Sequence, residues 1–213
     1  MEFSTFLAKI SQKSFLDTTK NAANQQLEMV PKERLQFDLS TIKNPKQAAV
    51  LALFYPNSNN ETCFLLTLRA NYKGTHAAQI SFPGGKKELS DKNLKETALR
   101  ETQEEVGISS KEINIIKQLH KTYIPPSNFW VSPFIGFSKE TPKFIKNYEV
   151  EKLIDVKIED LLNPKNRISS AISTSYGKNI TVPCFILNQH VVWGATAMIL
   201  NEIKYLFGFK ELS

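Results

Sequence analysis

One stretch of this chain constrains its folding more than any other: Leu94-Lys95-Glu96-Thr97-Ala98-Leu99-Arg100-Glu101-Thr102-Gln103-Glu104-Glu105-Val106-Gly107. It reads as a helix that Ser90 or Asp91 can cap and Gly107 can end. On a wheel of about 100° per residue, Ala98, Leu99, Thr102 and Val106 form one arc, a core face. Glu101, Glu104 and Glu105 form another. Glu101 and Glu105 are i,i+4 neighbours, and Glu101 and Glu104 are i,i+3. Each like-charge pair costs a helix a few tenths of a kcal/mol. A hard divalent cation, which takes oxygen ligands, removes that cost. Arg100 stands four positions before Glu104 and can hold that carboxylate in place.

Glu-x-x-Glu-Glu by itself is more often a solvated helix face than a ligand site. The residues upstream change the balance. Pro83-Gly84-Gly85-Lys86 follows a strand-like run, and glycines there let the backbone turn tightly beside a ligand. The carbonyl of Gly84 or Gly85 can then join a metal shell.

The rest of the chain alternates strands with a few helices. Phe3, Phe6, Leu7, Ile10 and Phe15 recur near helical spacing. Thr18 to Pro45 is polar and mixed, with no clear period. Ala48–Tyr55 and Cys63–Leu68 flank Pro56-Asn57-Ser58-Asn59-Asn60, a β-hairpin pattern. Ile80-Ser81-Phe82, Ile113–Tyr123, Trp130–Phe137 and Val150–Val156 read as strands. A short helical turn ends near Leu162-Asn163-Pro164. Ile172–Tyr176 and Ile180–Leu187 flank Gly177-Lys178 as a second hairpin, and Ala195–Phe207 forms a closing helix. Strands without a βαβ rhythm point to α+β with a central mixed sheet.

With 213 residues, one domain is expected over 1–213, with 1–45 as an N-terminal extension and 46–210 as the catalytic core. The net charge of +6 suits anionic ligands, but no basic stripe with interleaved aromatics marks a nucleic-acid surface. Cys63 and Cys184 lie in apolar runs outside any CxxC pair, as buried free thiols of a reducing compartment do. No signal peptide or membrane span is evident. The expectation is a cytoplasmic enzyme without membrane or nucleic-acid partners; a homodimer stays open.

Gly85, then Arg100-Glu101-x-x-Glu104-Glu105-x-Gly107 followed by Ile108, resembles the Nudix box. Two features depart from it. The spacer from Gly85 to Arg100 is one residue longer, and Thr102 fills an apolar slot. The spacer acid is Asp91 or Glu88. The longer spacer is similar to the coenzyme A diphosphatase branch. So are Leu65-Leu66-Thr67-x-Arg69-Ala70, His76-Ala77-x-Gln79-Ile80-Ser81-Phe82-Pro83-Gly84-Gly85-Lys86, Pro126-Ser127…Val131-x-Pro133 and Trp193-Gly194-Ala195-Thr196-Ala197. Lys73-Gly74 and Ala78 differ, where that branch more often carries an arginine and a glycine.

The resemblance implies a Nudix fold, a mixed sheet sandwiched between helices with a loop–helix–loop catalytic motif. It also implies Mg²⁺- or Mn²⁺-dependent hydrolysis of a nucleotide diphosphate, here coenzyme A or a derivative, to phosphopantetheine and adenosine bisphosphate. Glu101, Glu104, Glu105 and Gly85 are then the metal-site residues. The general base is Glu101 itself or a later glutamate, Glu149 in preference to Glu151. Arg69, Lys86, Gly84 and Ser127 are candidates to hold substrate, Arg through its fork and Lys as a point charge. Trp130, Phe129 and Tyr123 are candidates to stack on adenine, with at least one serving the core. His76 is expected to be structural. The rival substrates are ADP-ribose, NADH and capped RNA. A catalytically dead binding module is the rival of another class, and all three box glutamates speak against it.

Overall fold

The run Ala48–Tyr55 is apolar without alternation, which suits a strand covered on both faces. The computed structural model describes residues 1–13, 15, 21–31, 39–70, 79–174 and 177–208. In it β1 (Lys46–Pro56) runs through the middle of an eight-stranded mixed sheet. Antiparallel β2 (Thr62–Arg69) and the short antiparallel β4 (Gly84–Lys86) share one edge of β1. β7 (Phe129–Phe137) runs parallel along the other edge. β3 (Ile80–Ser81) and β8 (Val150–Lys157) pair with β2, while β5 (Asn114–Gln118) and β6 (Thr122–Ile124) pair with β7. The expected α+β architecture with a mixed sheet is therefore present.

Strand alternation divides the core into two layers. Ala49, Leu51, Leu53 and Tyr55 face one side, where they meet Ala98 and Val106 of helix α3 (Leu94–Val106). Ala52 and Phe54 face the other side, among residues from both ends of the chain. Phe6 of α1 (Phe3–Ile10) stacks on Phe54 at 5.0 Å and on Phe207 at 5.4 Å. Phe207 belongs to the closing helix α5 (Gly194–Gly208). Between β8 and α5 come the short α4 (Ile158–Leu162) and a three-stranded sheet of β9 (Arg167–Thr174), β10 (Gly177–Leu187) and β11 (His190–Trp193). No helix among the described residues is long and apolar enough to cross a membrane.

Several elements differ from expectation for local reasons. Ile113–Tyr123 is not one strand: it splits into β5 and β6 at Leu119, which turns inward and donates its amide to the Pro133 carbonyl at 2.9 Å. β11 follows β10 through Asn188 and Gln189, both at positive φ. That is the backbone of a tight primed turn, written without the glycine that usually signals it. Helix α2 (Ala22–Leu27) lies in the stretch with no readable period. Long-range polar contacts hold it: Gln26 donates to the buried Glu202 carboxylate at 2.6 Å and accepts from Thr122 at 2.7 Å. Asn201 donates to the Gln25 carbonyl at 2.7 Å. His76, Lys73, Gly74 and Ala78 lie outside the described residues.

Phe6 is fully buried and comes from the N-terminal extension. Phe6→Ala should lower the stability of the whole protein by about 3–5 kcal/mol, the usual cost of emptying a buried phenylalanine site. Urea unfolding followed by fluorescence measures it. An unchanged midpoint would show that α1 stands apart from the sheet.

Candidate active site

Helix α3 is fixed at both ends by its own sequence. Asn93 caps it, its side-chain oxygen accepting from the Glu96 amide at 3.0 Å. The expected caps, Ser90 and Asp91, do not serve; Asn93-x-x-Glu96 is a capping spacing that the sequence already displays. Gly107 ends the helix at φ 77°, where a side chain would be strained. The carbonyls of Glu105 and Val106, left open at a helix end, accept the Asn147 and Ile145 amides at 3.0 Å each. The helix terminus thereby anchors the segment leading to Glu149.

Asp91 has a different task. Its side chain is only 4% exposed and takes a two-pronged ion pair from Arg100, both contacts at 3.0 Å. It also accepts from the Glu88 amide at 2.9 Å and the Thr97 hydroxyl at 3.0 Å. The Arg100 guanidinium holds this carboxyl well below the usual carboxylate range. Asp91 is therefore the spacer acid, and Glu88 supplies only an amide. The rest of the Arg100 fork reaches the Lys86 carbonyl at 3.1 Å, Glu101 at 3.1 Å and Glu104 at 3.0 Å.

The two glycines act through what they lack. A Cβ on Gly84 would sit 2.6 Å from the Val50 Cα and closer still to the Ala49 carbonyl. Its amide donates to Glu105 at 3.0 Å. A Cβ on Gly85 would stand 2.5 Å from both oxygens of Glu101. Any larger residue there would evict that carboxylate.

The three glutamates share a helix face but not an environment. Glu105 is buried, Glu101 is mostly covered, and Glu104 is half exposed with a side-chain exposure of 53%. Burial pushes the Glu105 carboxyl up to about 7, and the charges of Glu101 and Glu149 push the same way; the Gly84 amide and Arg69 oppose them. Burial also raises Glu101, reinforced by Glu104 and Glu149 and opposed by Arg100. The core face is correspondingly shifted: Thr97 is buried with Ala98, Thr102 and Val106, while Leu99 is only partly covered. Thr102 tolerates its apolar slot by donating to the Ala98 carbonyl at 2.7 Å.

Of the other expected residues, some join this cluster and some do not. Arg69 lies 3.6 Å from Glu105. Alternation along β2 places it in line with Cys63 and Leu65, on the α3 side of the sheet. The Ala70 amide bonds the Glu149 carbonyl at 2.8 Å, so Glu149 sits beside Arg69, whereas Glu151 is exposed on β8. Lys86 is exposed, and alternation turns its side chain to the opposite side of β4 from Gly85; only its carbonyl meets the cluster. Ser127 ends a turn, Pro125–Ser127, just before β7, and its hydroxyl is buried with no partner among the described residues. Tyr123 and Trp130 pack together at 5.3 Å on β6 and β7. These residues lie across β1 from β2 and β4. Among the described residues no three acidic, histidine or cysteine side chains converge on one point. Arg100 restrains Glu101 and Glu104, while Gly84 and Arg69 restrain Glu105.

Comparison with known proteins agrees with this geometry. The chain is 32% identical over 163 residues to the mitochondrial Nudix hydrolase 15 of Arabidopsis thaliana, covering 73% of this chain and 56% of that protein. It is 31% identical over 158 residues to the mitochondrial coenzyme A diphosphatase of Homo sapiens, covering 73% of this chain and 66% of that one. The chain thus spans little more than half the length of the first of these relatives. A MutT/nudix family protein from Enterococcus faecalis shares the fold, with a TM-score of 0.52 at 17% identity over 90% of this chain and 75% of that one. The NUDIX domain model matches residues 45–168. That match takes in the glycine turn, all of α3 and the strand that follows Glu149, more than half of the sequence, and so the chain belongs to the Nudix family.

Proposed function

We propose that this protein hydrolyses the diphosphate linkage of a nucleotide, with coenzyme A or a derivative as substrate and Mg²⁺ or Mn²⁺ as cofactor. One observation carries the proposal: Glu105, 3% exposed, is buried beside Glu101 within reach of the Glu149 charge. A buried carboxylate crowded by like charges is costly unless a cation answers it. The donors suit a hard divalent ion, since Glu101, Glu104, Glu105 and the Gly85 carbonyl offer only oxygen. Gly85 also leaves room for the Glu101 carboxylate. The choice of coenzyme A follows from the human relative's name together with the sequence signature around Arg69.

A bound divalent ion supplies Lewis acidity toward the diphosphate. Glu101, Glu105 and Glu104 would be the carboxylates that hold it. Mg²⁺ commonly keeps waters and uses few protein carboxylates, so a tight cage of three is not required. Glu149, beside Arg69, accepts the proton of the attacking water. Arg69 holds phosphate oxygens through its planar fork, and the Gly84–Gly85 backbone lets the diphosphate approach closely. Arg100 positions Glu101 and Glu104 and does not itself touch substrate.

Glu149→Gln should lower kcat by about 10²–10⁴-fold, the usual contribution of a positioned base, while leaving Mn²⁺ affinity intact. Glu105→Gln should lose both Mn²⁺ binding and rate. Steady-state kinetics and calorimetric Mn²⁺ titration separate the two, and wild-type turnover by Glu149→Gln would remove it from the chemistry.

Purified protein with Mg²⁺ or Mn²⁺ should release phosphopantetheine from coenzyme A faster than it cleaves ADP-ribose or NADH. Mass analysis of the products decides this. A preference for ADP-ribose would overturn the substrate and keep the chemistry.

Asp91→Asn should cost about 2–3 kcal/mol at pH 7, the worth of buried hydrogen bonds to charged groups. Because the folded carboxyl titrates below its unfolded value, this stability is present above about pH 4 and fades as pH falls further. Denaturant midpoints of wild type and variant should therefore converge in acid. A gap that stays constant down to the acid transition would contradict the ion-pair origin.

A further inference from the structure

Glu105 has two oxygens, and they are engaged differently. Oε2 accepts the Gly84 amide at 3.0 Å, a bond fixed by the glycine turn. Oε1 faces the Arg69 guanidinium at 3.6 Å. Oε1 is thus the oxygen with no backbone bond, the more open one for a cation, and a positive charge already stands there. The ion pairs that the site's two arginines make with carboxylates differ in length. Arg100 is tied to Asp91 through two 3.0 Å contacts and to the Lys86 carbonyl, so it cannot leave. The Arg69 contact is longer than the roughly 2.7–2.9 Å of a charge-assisted hydrogen bond. Its side chain, at the end of β2, is 28% exposed.

We propose that Arg69 is an exchangeable counter-ion, paired with Glu105 while the site holds no metal and displaced toward the substrate phosphates when a divalent cation binds. This rests on the metal-dependent reading above. A carboxylate buried as deeply as Glu105 is costly without positive charge or hydrogen bonds to answer it, and the Gly84 amide answers one oxygen. The guanidinium fills that need before the metal arrives. Guanidinium and metal repel each other, so arrival of one moves the other. The displaced fork then meets an anionic diphosphate, which it can grip with two parallel bonds. Metal binding and substrate binding become positively coupled through one side chain, and by linkage each strengthens the other.

The test is Mn²⁺ titration by calorimetry, without nucleotide, of wild type, Arg69→Gln and Arg69→Lys. Removing a unit charge a few ångströms from the site should tighten Mn²⁺ binding about tenfold in Arg69→Gln. The gain should shrink with added salt. Arg69→Lys keeps the charge and should stay within about twofold of wild type. Without metal, Arg69→Gln should melt below wild type, and saturating Mn²⁺ should close the gap. Unchanged or weaker Mn²⁺ affinity in Arg69→Gln, with clear binding by wild type, would overturn the exchange alone. Failure of Arg69→Gln to fold even in saturating Mn²⁺ would make the arginine structural and equally overturn it. No Mn²⁺ binding by wild type would instead remove the metal-dependent reading, and the exchange with it.

Discussion

The contact on which the site's geometry depends is the one between Arg100 and Asp91. A guanidinium has five donors in a rigid plane and cannot lose its charge. Here that plane binds the loop through Asp91 and the Lys86 carbonyl, and binds the helix through Glu101 and Glu104. Loop and helix are thereby fixed to each other at a single side chain. Gly85 needs that precision, because Glu101 occupies the volume its side chain would have filled. A loop free to drift by an ångström would either crowd the carboxylate or abandon it.

The second constraint comes from the sheet. β1 is buried on both faces, under α3 on one side and under α1 and α5 on the other. Its backbone is consequently a stable reference for β4, whose Gly84 presses against Ala49 and Val50. β2 on the same edge of β1 carries Arg69 to Glu105, and the turn before β8 is held to β2 where the Ala70 amide bonds the Glu149 carbonyl. The acidic helix is thus met by one cation from a strand and by the charge of one further carboxylate from the turn before β8. Burial makes such a cluster electrostatically uneven, since each carboxylate's tendency to ionise depends on its own depth and neighbours.

Much of this is legible in the residues. The helix has a period, a cap spacing and a terminal glycine, all local signals, and the β1–β2 hairpin is written as two apolar runs around a polar turn. Asp91 is harder to see, because Glu88 sits as close in sequence and only the folded loop selects between them. The helical wheel groups Glu101, Glu104 and Glu105 by angle. It has no means of showing that β4 and β2 bury Glu105 while Glu104 stays in solvent, since those contacts come from residues far away in the chain. Tyr123, Trp130 and Ser127 raise the same difficulty: their types suit a nucleotide, but only the topology shows that β6 and β7 lie across β1 from β2 and β4. Helix α2 is invisible because its stability lies in Gln26, Glu202 and Thr122, three residues brought together from distant segments.

The family match ends at residue 168, yet the sheet's second face is completed by residues outside it. Phe3, Phe6 and Ile10 from one end and Leu200, Ile203 and Phe207 from the other fill that layer. Glu202 joins the two ends to the middle, accepting from Gln26 of α2 and from His120 between β5 and β6, the latter at 2.8 Å. A buried carboxylate whose two oxygens are both hydrogen-bonded is sensitive to where its partners lie. In this chain it fixes where α2 and α5 lie against β6, and so how the back of the sheet is closed. The side that carries the acidic helix is built by the family's own motif. The rigidity that lets a glycine turn and a glutamate share one small volume is supplied from behind, by segments the motif does not contain.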